Sequence, residues 1–176
     1  MEGDPLHCVQ SMLKPCFAIV ILACMLLAAQ TTPPASGAPE TSLAGIDIRQ
    51  MKIPDIHKMY GQQEAMYAVP PDPYPPGTKL YKWGRLTVTL KVLTEPSAKV
   101  ERIRAIEVQG EGEPGKQAIN ETGRGLRLGA KASEIKKLYG VDASNGSSTI
   151  QWSEGTTLVI TLNEKGRVSK LELRAP

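Results

Sequence analysis

Apolar residues recur at helical spacing in two short segments of the chain. The positions in question are Ile56, Met59, Tyr60, Ile135, Leu138 and Tyr139. Intervals of three and four residues place each set of three on one stripe of a helix. Pro54 suits the first position of the first helix, and Gly61 and Gly140 suit the left-handed position that ends a helix. The pattern therefore predicts two short helices, each ending in Tyr-Gly.

Strand-like runs follow each predicted helix. Residues 80–90 and 99–108 follow the first, and residues 149–162 and 167–174 follow the second. These runs alternate apolar and polar positions and are rich in Thr, Val and Ile, as is typical of half-buried strands. The pattern predicts a three-stranded antiparallel meander after each helix. Because one such sheet buries its apolar face poorly, we expect the two meanders to pack together or to share a sheet.

The two helix regions also resemble each other in sequence, which indicates an internal repeat. Residues 45–61 and 125–140 both begin with Gly and both end in acidic–Ile–basic–Lys–apolar–Tyr–Gly, with one residue inserted in the first. Farther along, Trp83 matches Trp152. We therefore expect an α+β fold of two tandem repeats, each a short helix followed by a three-stranded antiparallel meander.

The repeat sets the expected domain boundaries. Residues 1–38 are interpreted as a signal peptide with a disordered N-terminal segment, and residues 39–108 as the first repeat. The first repeat contains a proline-rich insertion, residues 62–79, that the second lacks. A glycine-rich polar linker, residues 109–122, leads to the second repeat, residues 123–176.

The repeated unit resembles that of the β-lactamase inhibitory protein family, and of the small outer-membrane-assembly lipoproteins with the same unit. The likeness rests on the Gly-apolar-x-apolar and Tyr-Gly motifs and the strand runs that follow, over residues 45–174. It implies a tandem-repeat fold and a protein-binding role in the bacterial envelope. The matching positions are scaffold positions, so no inhibitory residue can be transferred from the family.

The first part of the chain has the features of an export signal. Residues 16–29 form an uncharged apolar run that is short for a membrane span and suits a signal-peptide core. Starting at Met12 instead of Met1 gives a better signal peptide. We expect cleavage to leave a mature chain that begins between Gln30 and Pro39, exported to the periplasm or the exterior. A lipid anchor at Cys24 and an uncleaved anchor are the alternatives.

Composition and charge narrow the chemistry. All three cysteines precede residue 25, so the mature chain has no thiol, disulfide or cysteine metal site. Its one histidine, His57, is expected on a solvated helix surface, without the partners of a catalytic triad. The net charge of +3 is dispersed, which disfavours a nucleic-acid surface. We expect no cofactor, no metal and no membrane contact after cleavage; a protein is the expected partner.

Four aromatic residues are the candidate partner-binding positions. Tyr67 and Tyr74 lie in the insertion, where residues 62–67 are expected to form a second short helix and five of residues 70–76 are proline. Such a stiff loop can present rigid aromatic anchors, or it can be a spacer that shields a sheet edge. Trp83 and Trp152 either face outward along a binding surface or belong to the core.

The sequence therefore predicts an exported, non-catalytic protein-binding module. One alternative is an inhibitor of a secreted enzyme. The alternative of another class is a small hydrolase that uses a pair of carboxylates, which would need two carboxyl groups about 5–10 Å apart in a cleft.

Overall fold

A computed structural model describes residues 37–85, 88–96, 101–110, 121–143 and 146–176 of the 176-residue chain. The predicted signal peptide, with Met12 and Cys24, lies outside the described residues. So do residues 111–120, the central part of the predicted linker.

Two helices and nine strands make up the described part of the chain. In chain order these are β1 (Ser42–Leu43), β2 (Ile46–Asp47), α1 (Ile53–Tyr60), β3 (Ala65–Ala68), β4 (Lys79–Arg85), β5 (Val88–Glu95), β6 (Arg102–Gly110), α2 (Ala132–Tyr139), β7 (Ser147–Gln151), β8 (Thr157–Leu162) and β9 (Val168–Arg174). β1 and β2 form a small hairpin of their own.

The other seven strands form one antiparallel sheet in the order β3-β4-β5-β6-β9-β8-β7. The centre of the sheet is the pairing of β6 with β9, in which Val108 lies opposite Leu171 and Ile106 lies opposite Leu173. Strands far apart in the chain are therefore hydrogen-bonded side by side, and β3 and β7 form the two edges.

The predicted fold class is wrong. The structure is mostly β, with 45% of the described residues in strands and 13% in two helices, and its seven strands form one sheet instead of two helix-plus-meander repeats. Four strands, not three, follow α1, and residues 80–90 contain parts of two strands, β4 and β5. The physical reason is that the free edges of β6 and β9 satisfy each other's backbone hydrogen-bonding groups, which joins the seven strands β3 to β9 into a single sheet.

The helix predictions agree with the structure at most positions. Ile56, Tyr60, Ile135 and Tyr139 are buried. Met59, however, is 46% exposed, so the predicted apolar stripe of α1 is narrower than expected. An eight-residue helix makes only about two turns, so it needs few buried side chains to stay on the sheet.

The predicted helix over residues 62–67 is also wrong. Ala65–Ala68 form the edge strand β3, in which Tyr67 pairs with Leu80 and Met66 pairs with Tyr81. Ala, Met and Tyr fit a helix as well as a strand, and pairing with β4 decides between the two.

Along the inner strands of the sheet, buried residues mostly alternate with partly exposed ones and point into one core, to which both helices contribute buried side chains. β5 shows this alternation clearly, with Val88, Leu90, Val92 and Thr94 buried. The buried residues of the sheet, the hairpin and both helices belong to one hydrophobic cluster. We call the opposite side of the sheet, which neither helix covers, the outer face.

Candidate functional site

The two tryptophans proposed as binding residues lie in the core. Trp83 and Trp152 are each 3% exposed. Trp83 lies in β4 and donates its indole N–H to the carbonyl oxygen of Gly61 at 3.0 Å. Trp152 follows β7, and its ring meets that of Tyr139 edge-on at 6.3 Å between centroids. The core alternative therefore applies to both, and neither side chain is available on the surface to a partner.

His57 is less solvated than the sequence suggested. Its ring lies against that of Trp83, at 5.9 Å between centroids, and its Nε2 atom is buried. Within the described residues this nitrogen has no hydrogen-bond partner. The expectation of a freely solvated helix histidine is corrected: the side chain packs on the edge of the core.

An apolar row crosses half of the outer face. Tyr67, Leu80, Leu93 and Ala105 lie directly opposite one another on β3, β4, β5 and β6, and the row continues to Arg174 on β9. Tyr67 is 52% exposed, and the three residues between it and Arg174 are partly exposed. The structure thus places Tyr67 at one end of a surface row.

A ladder of charges runs beside this row. Glu107 lies 2.7 Å from Lys91 and 3.6 Å from Lys170, and Glu172 lies 3.8 Å from Lys170 and 2.6 Å from Arg174. The hydrogen bond from Arg174 to Glu172 is the largest cause of a raised pKa of the Arg174 guanidinium. Three cations and two carboxylates therefore pair with one another at the centre of the outer face, with one positive charge in excess.

The proline-rich segment, residues 70–76, folds over one end of the outer face and encloses a groove of about 330 Å³. We call this the proline-loop groove. Its lining residues are Pro73, Tyr74, Pro75, Leu93, Glu95, Arg104, Ala105, Glu172, Arg174 and Ala175. Tyr74 is 38% exposed and lines the groove from the proline-rich loop. Leu93 and Ala105 line it from the sheet and form its apolar floor. The groove brings Tyr74 onto the apolar row that begins at Tyr67.

A second groove, of about 600 Å³, lies on the other side of Arg104 and Ala175, which line both. We call it the basic groove. One wall is the turn over residues 48–52 before α1, and the other is the start of β6. Its charged lining residues are Arg49, Lys52, Glu101, Arg102, Arg104 and Glu154.

The carboxylates in both grooves are bonded to other side chains. Glu95 lies 3.0 Å from the Nε of Arg104, and Glu154 lies 2.7 Å from Arg49. Glu172 is held by Arg174, as described above. A carboxyl pair for hydrolysis needs one group free to give up a proton and another free to attack or to activate water. Glutamates held in ion pairs with arginine side chains are poorly arranged for that chemistry.

The fourth groove carboxylate, Glu101, belongs to a cluster with Lys79 and Tyr81. It accepts hydrogen bonds from the Lys79 ammonium and, at 3.0 Å, from the Tyr81 hydroxyl. The bond to Glu101 raises the pKa of Lys79. Burial first, and then the bond to Glu101, raises the pKa of Tyr81. The cluster therefore keeps both donors protonated and holds Glu101 in place.

The described part of the chain contains neither a metal-ligand cluster nor a membrane-spanning helix. No three His, Cys, Asp or Glu side chains in this part of the chain come together as metal ligands. None of the helices in the same part is long and apolar enough to cross a membrane.

Sequence reasoning missed the arginines of the grooves. Arg104 and Arg174 stand 70 positions apart in the sequence and become neighbours only because β6 pairs with β9. The period-two pattern contains a usable signal, since residues that alternate with buried ones in β5 and β9 must face outward. That rule identifies Leu93 and Arg174 as surface residues, although it cannot show that they meet.

No protein-family model, curated protein or solved structure matches the chain. The resemblance to the β-lactamase inhibitory protein family stays a prediction from sequence.

Proposed function

We propose that the chain is an exported, non-catalytic protein-binding module and that the proline-loop groove is its contact site. The observation that supports this most is the position of Tyr74. An exposed tyrosine on a proline-rich loop faces an apolar floor across a groove of about 330 Å³. Tyrosine offers a large amphipathic contact area with few rotatable bonds, and prolines reduce the ordering that binding requires.

The neighbouring surface suits the same role. Tyr67 lies at the other end of the apolar row, so the two exposed tyrosines bracket Leu80 and Leu93. Interfaces are enriched in aromatic residues at their centres and are polar at their rims. The ion-paired Glu95–Arg104 and Glu172–Arg174 can form such a rim without leaving a charge unpaired.

Site-specific photocrosslinking tests the proposal. A benzoylphenylalanine placed at Tyr74 or Tyr67 of the exported protein should give a discrete protein adduct in intact cells of its source. The same group at Met59 is the matched control, because Met59 is an exposed apolar residue on α1, on the helix-covered side of the sheet. Adducts of equal yield at Met59, or none at Tyr74, would contradict the proposal.

The purified partner then gives the quantitative test. Tyr74→Ala should weaken binding at least tenfold, because loss of an interface anchor costs about 2 kcal/mol. The melting temperature should stay nearly unchanged. If stability falls by several degrees and binding is spared, Tyr74 is a packing residue and the loop is an edge cover. If the partner is an enzyme whose activity the module blocks, the module is an inhibitor.

A further inference from the structure

Four basic side chains and two acidic side chains line the basic groove. Arg49 is held by Glu154, Arg104 by Glu95, and Glu101 by Lys79 and Tyr81. Lys52 and Arg102 remain, both exposed, and the charged end of neither side chain has an ion-pair partner among the residues that the structure describes. The carboxylate of Asp55 bonds to the backbone N–H of Lys52, at 3.1 Å. Two unpaired cations therefore face one groove.

The lining of the basic groove also includes apolar side chains, which we call its floor. Ile48 and Ile103 are 5% and 4% exposed, and Met51 is partly buried against the same core. Ile103 lies between Arg102 and Arg104 on β6, so an apolar floor and a basic rim come from consecutive residues. At about 600 Å³, the groove is large enough for several side chains.

We infer that the basic groove binds an acidic segment of the partner protein, with carboxylates at Lys52 and Arg102 and an apolar side chain on the floor formed by Ile48, Met51 and Ile103. This inference rests on the proposed function, since it names the chemistry of the same partner. Charge complementarity selects the occupant: a basic or neutral segment leaves both cations unpaired, whereas an acidic one neutralises them. Because Arg104 and Ala175 line both grooves, one partner can occupy the two together.

The experiment uses a defined probe in place of the partner. A fluorescein-labelled, end-capped heptapeptide of alternating Glu and Leu is titrated with the mature protein, and fluorescence anisotropy is measured. Binding should weaken as salt rises, because exposed ion pairs are screened. The peptide with Gln in place of Glu should bind at least tenfold more weakly.

Charge reversal locates the site. Lys52→Glu combined with Arg102→Glu should weaken binding of the Glu peptide about tenfold or more, as each reversal replaces an attraction by a repulsion. The control is Lys137→Glu combined with Lys165→Glu, which makes the same change in net charge at exposed positions on α2 and in the turn before β9. Circular dichroism verifies that both variants are folded. If the double-reversal variant does not fold, the single variants Lys52→Gln and Arg102→Gln test the site instead.

Three outcomes would overturn the inference: equal binding of the Glu and Gln peptides, equal loss in the control variant, or displacement of the peptide by phosphatidylglycerol vesicles. The last would assign the groove to a lipid surface. A partner that crosslinks at Tyr74 but binds the Lys52/Arg102 variant normally leaves the proposed function standing and rejects this inference. Peptide binding that depends on Lys52 and Arg102, without a Tyr74 adduct, rejects the proline-loop groove as the contact site.

Discussion

Tyr139 joins the start of the described chain to its second helix. Its hydroxyl donates to the carboxylate of Glu40 at 2.9 Å and lies 2.8 Å from the hydroxyl oxygen of Thr122. The same carboxylate accepts the backbone N–H groups of Gly123 and Arg124 at 3.1 and 3.3 Å. Glu40 is 4% exposed, and a buried charge is tolerated because these donors replace water. The carboxylate of Glu40 therefore accepts three hydrogen bonds inside the core.

The pH dependence of stability should depend on Tyr139. Burial is the main cause of a pKa of its hydroxyl well above the ordinary value of about 10. Above about pH 10, the tyrosine hydroxyl of the unfolded chain loses its proton while that of the native chain keeps it. The free energy of unfolding therefore falls as pH rises through this range. Tyr139→Phe should be less stable than wild type at pH 8, and the difference should shrink by pH 11. Urea unfolding at both values measures this.

The matched control is Tyr67→Phe, in which the hydroxyl removed belongs to an exposed residue. It should leave stability almost unchanged at both pH values. A Tyr139→Phe variant with the same deficit at pH 8 and pH 11 would contradict the linkage.

The two tryptophans should respond differently to the same substitution. The indole N–H of Trp83 bonds to Gly61, whereas that of Trp152 is buried without a hydrogen-bond partner among the described residues. Trp83→Phe therefore breaks a hydrogen bond and leaves a carbonyl oxygen unsatisfied, which Trp152→Phe does not. We expect Trp83→Phe to cost about 1 kcal/mol more, by urea unfolding. Equal losses would indicate that the indole of Trp152 has a partner, such as a water molecule.

At the scale of elements, α2 ends where the sequence predicts it to end. Gly140 follows the helix with a left-handed backbone, φ 72°, and its N–H bonds to the carbonyl oxygen of Lys136 at 2.9 Å. A Cβ at this position would have nothing within 4 Å. Substitution there consequently tests backbone conformation without a steric clash.

Gly140→Ala should cost about 1 kcal/mol of unfolding free energy, because L-residues other than Gly pay that penalty in the left-handed region. Gly140→Asn should cost less, because asparagine tolerates this conformation better. Thermal unfolding of the two variants gives the comparison. An alanine variant as stable as wild type would mean that the helix end can adopt another geometry.

At the scale of the whole molecule, one sheet and one core link the two halves of the chain. β6 and β9 pair over five residue positions, and Leu171 and Leu173 of β9 are fully buried beside Val108 and Ile106 of β6. Neither half has a complete sheet without the other, since separation would expose two long central edges.

The two halves should therefore unfold together. Trp83→Phe leaves Trp152 as the sole tryptophan, and Trp152→Phe leaves Trp83, so each variant reports on one half. In each variant, the fluorescence transition of the remaining tryptophan should coincide with the loss of circular dichroism across the urea range. Coincident transitions are the signature of two-state unfolding. A fluorescence transition that precedes the dichroism change in either variant would show that the halves unfold separately.

The local features of the fold could be predicted from the sequence. The buried faces at Ile56 and Ile135, the helix ends at Gly61 and Gly140 and the alternation in the later strands follow from spacing and backbone preference, which act over a few residues. Tyr74 was likewise found from composition, as an aromatic residue in a proline-rich loop. Its role as a binding residue stays a prediction.

Only the tertiary structure decided how these elements combine. Contacts between separate segments decide three features. These are the strand, instead of a helix, at residues 65–68, the joining of seven strands into one sheet through β6 and β9, and the burial of Trp83 and Trp152. The same is true of both grooves, where Arg104 meets residues from β9 and from the turn before α1. Hydrophobic periodicity predicts which side of a helix or strand faces the core. Which strands become neighbours is decided by pairing between distant parts of the chain, and that pairing leaves no local signal in the sequence.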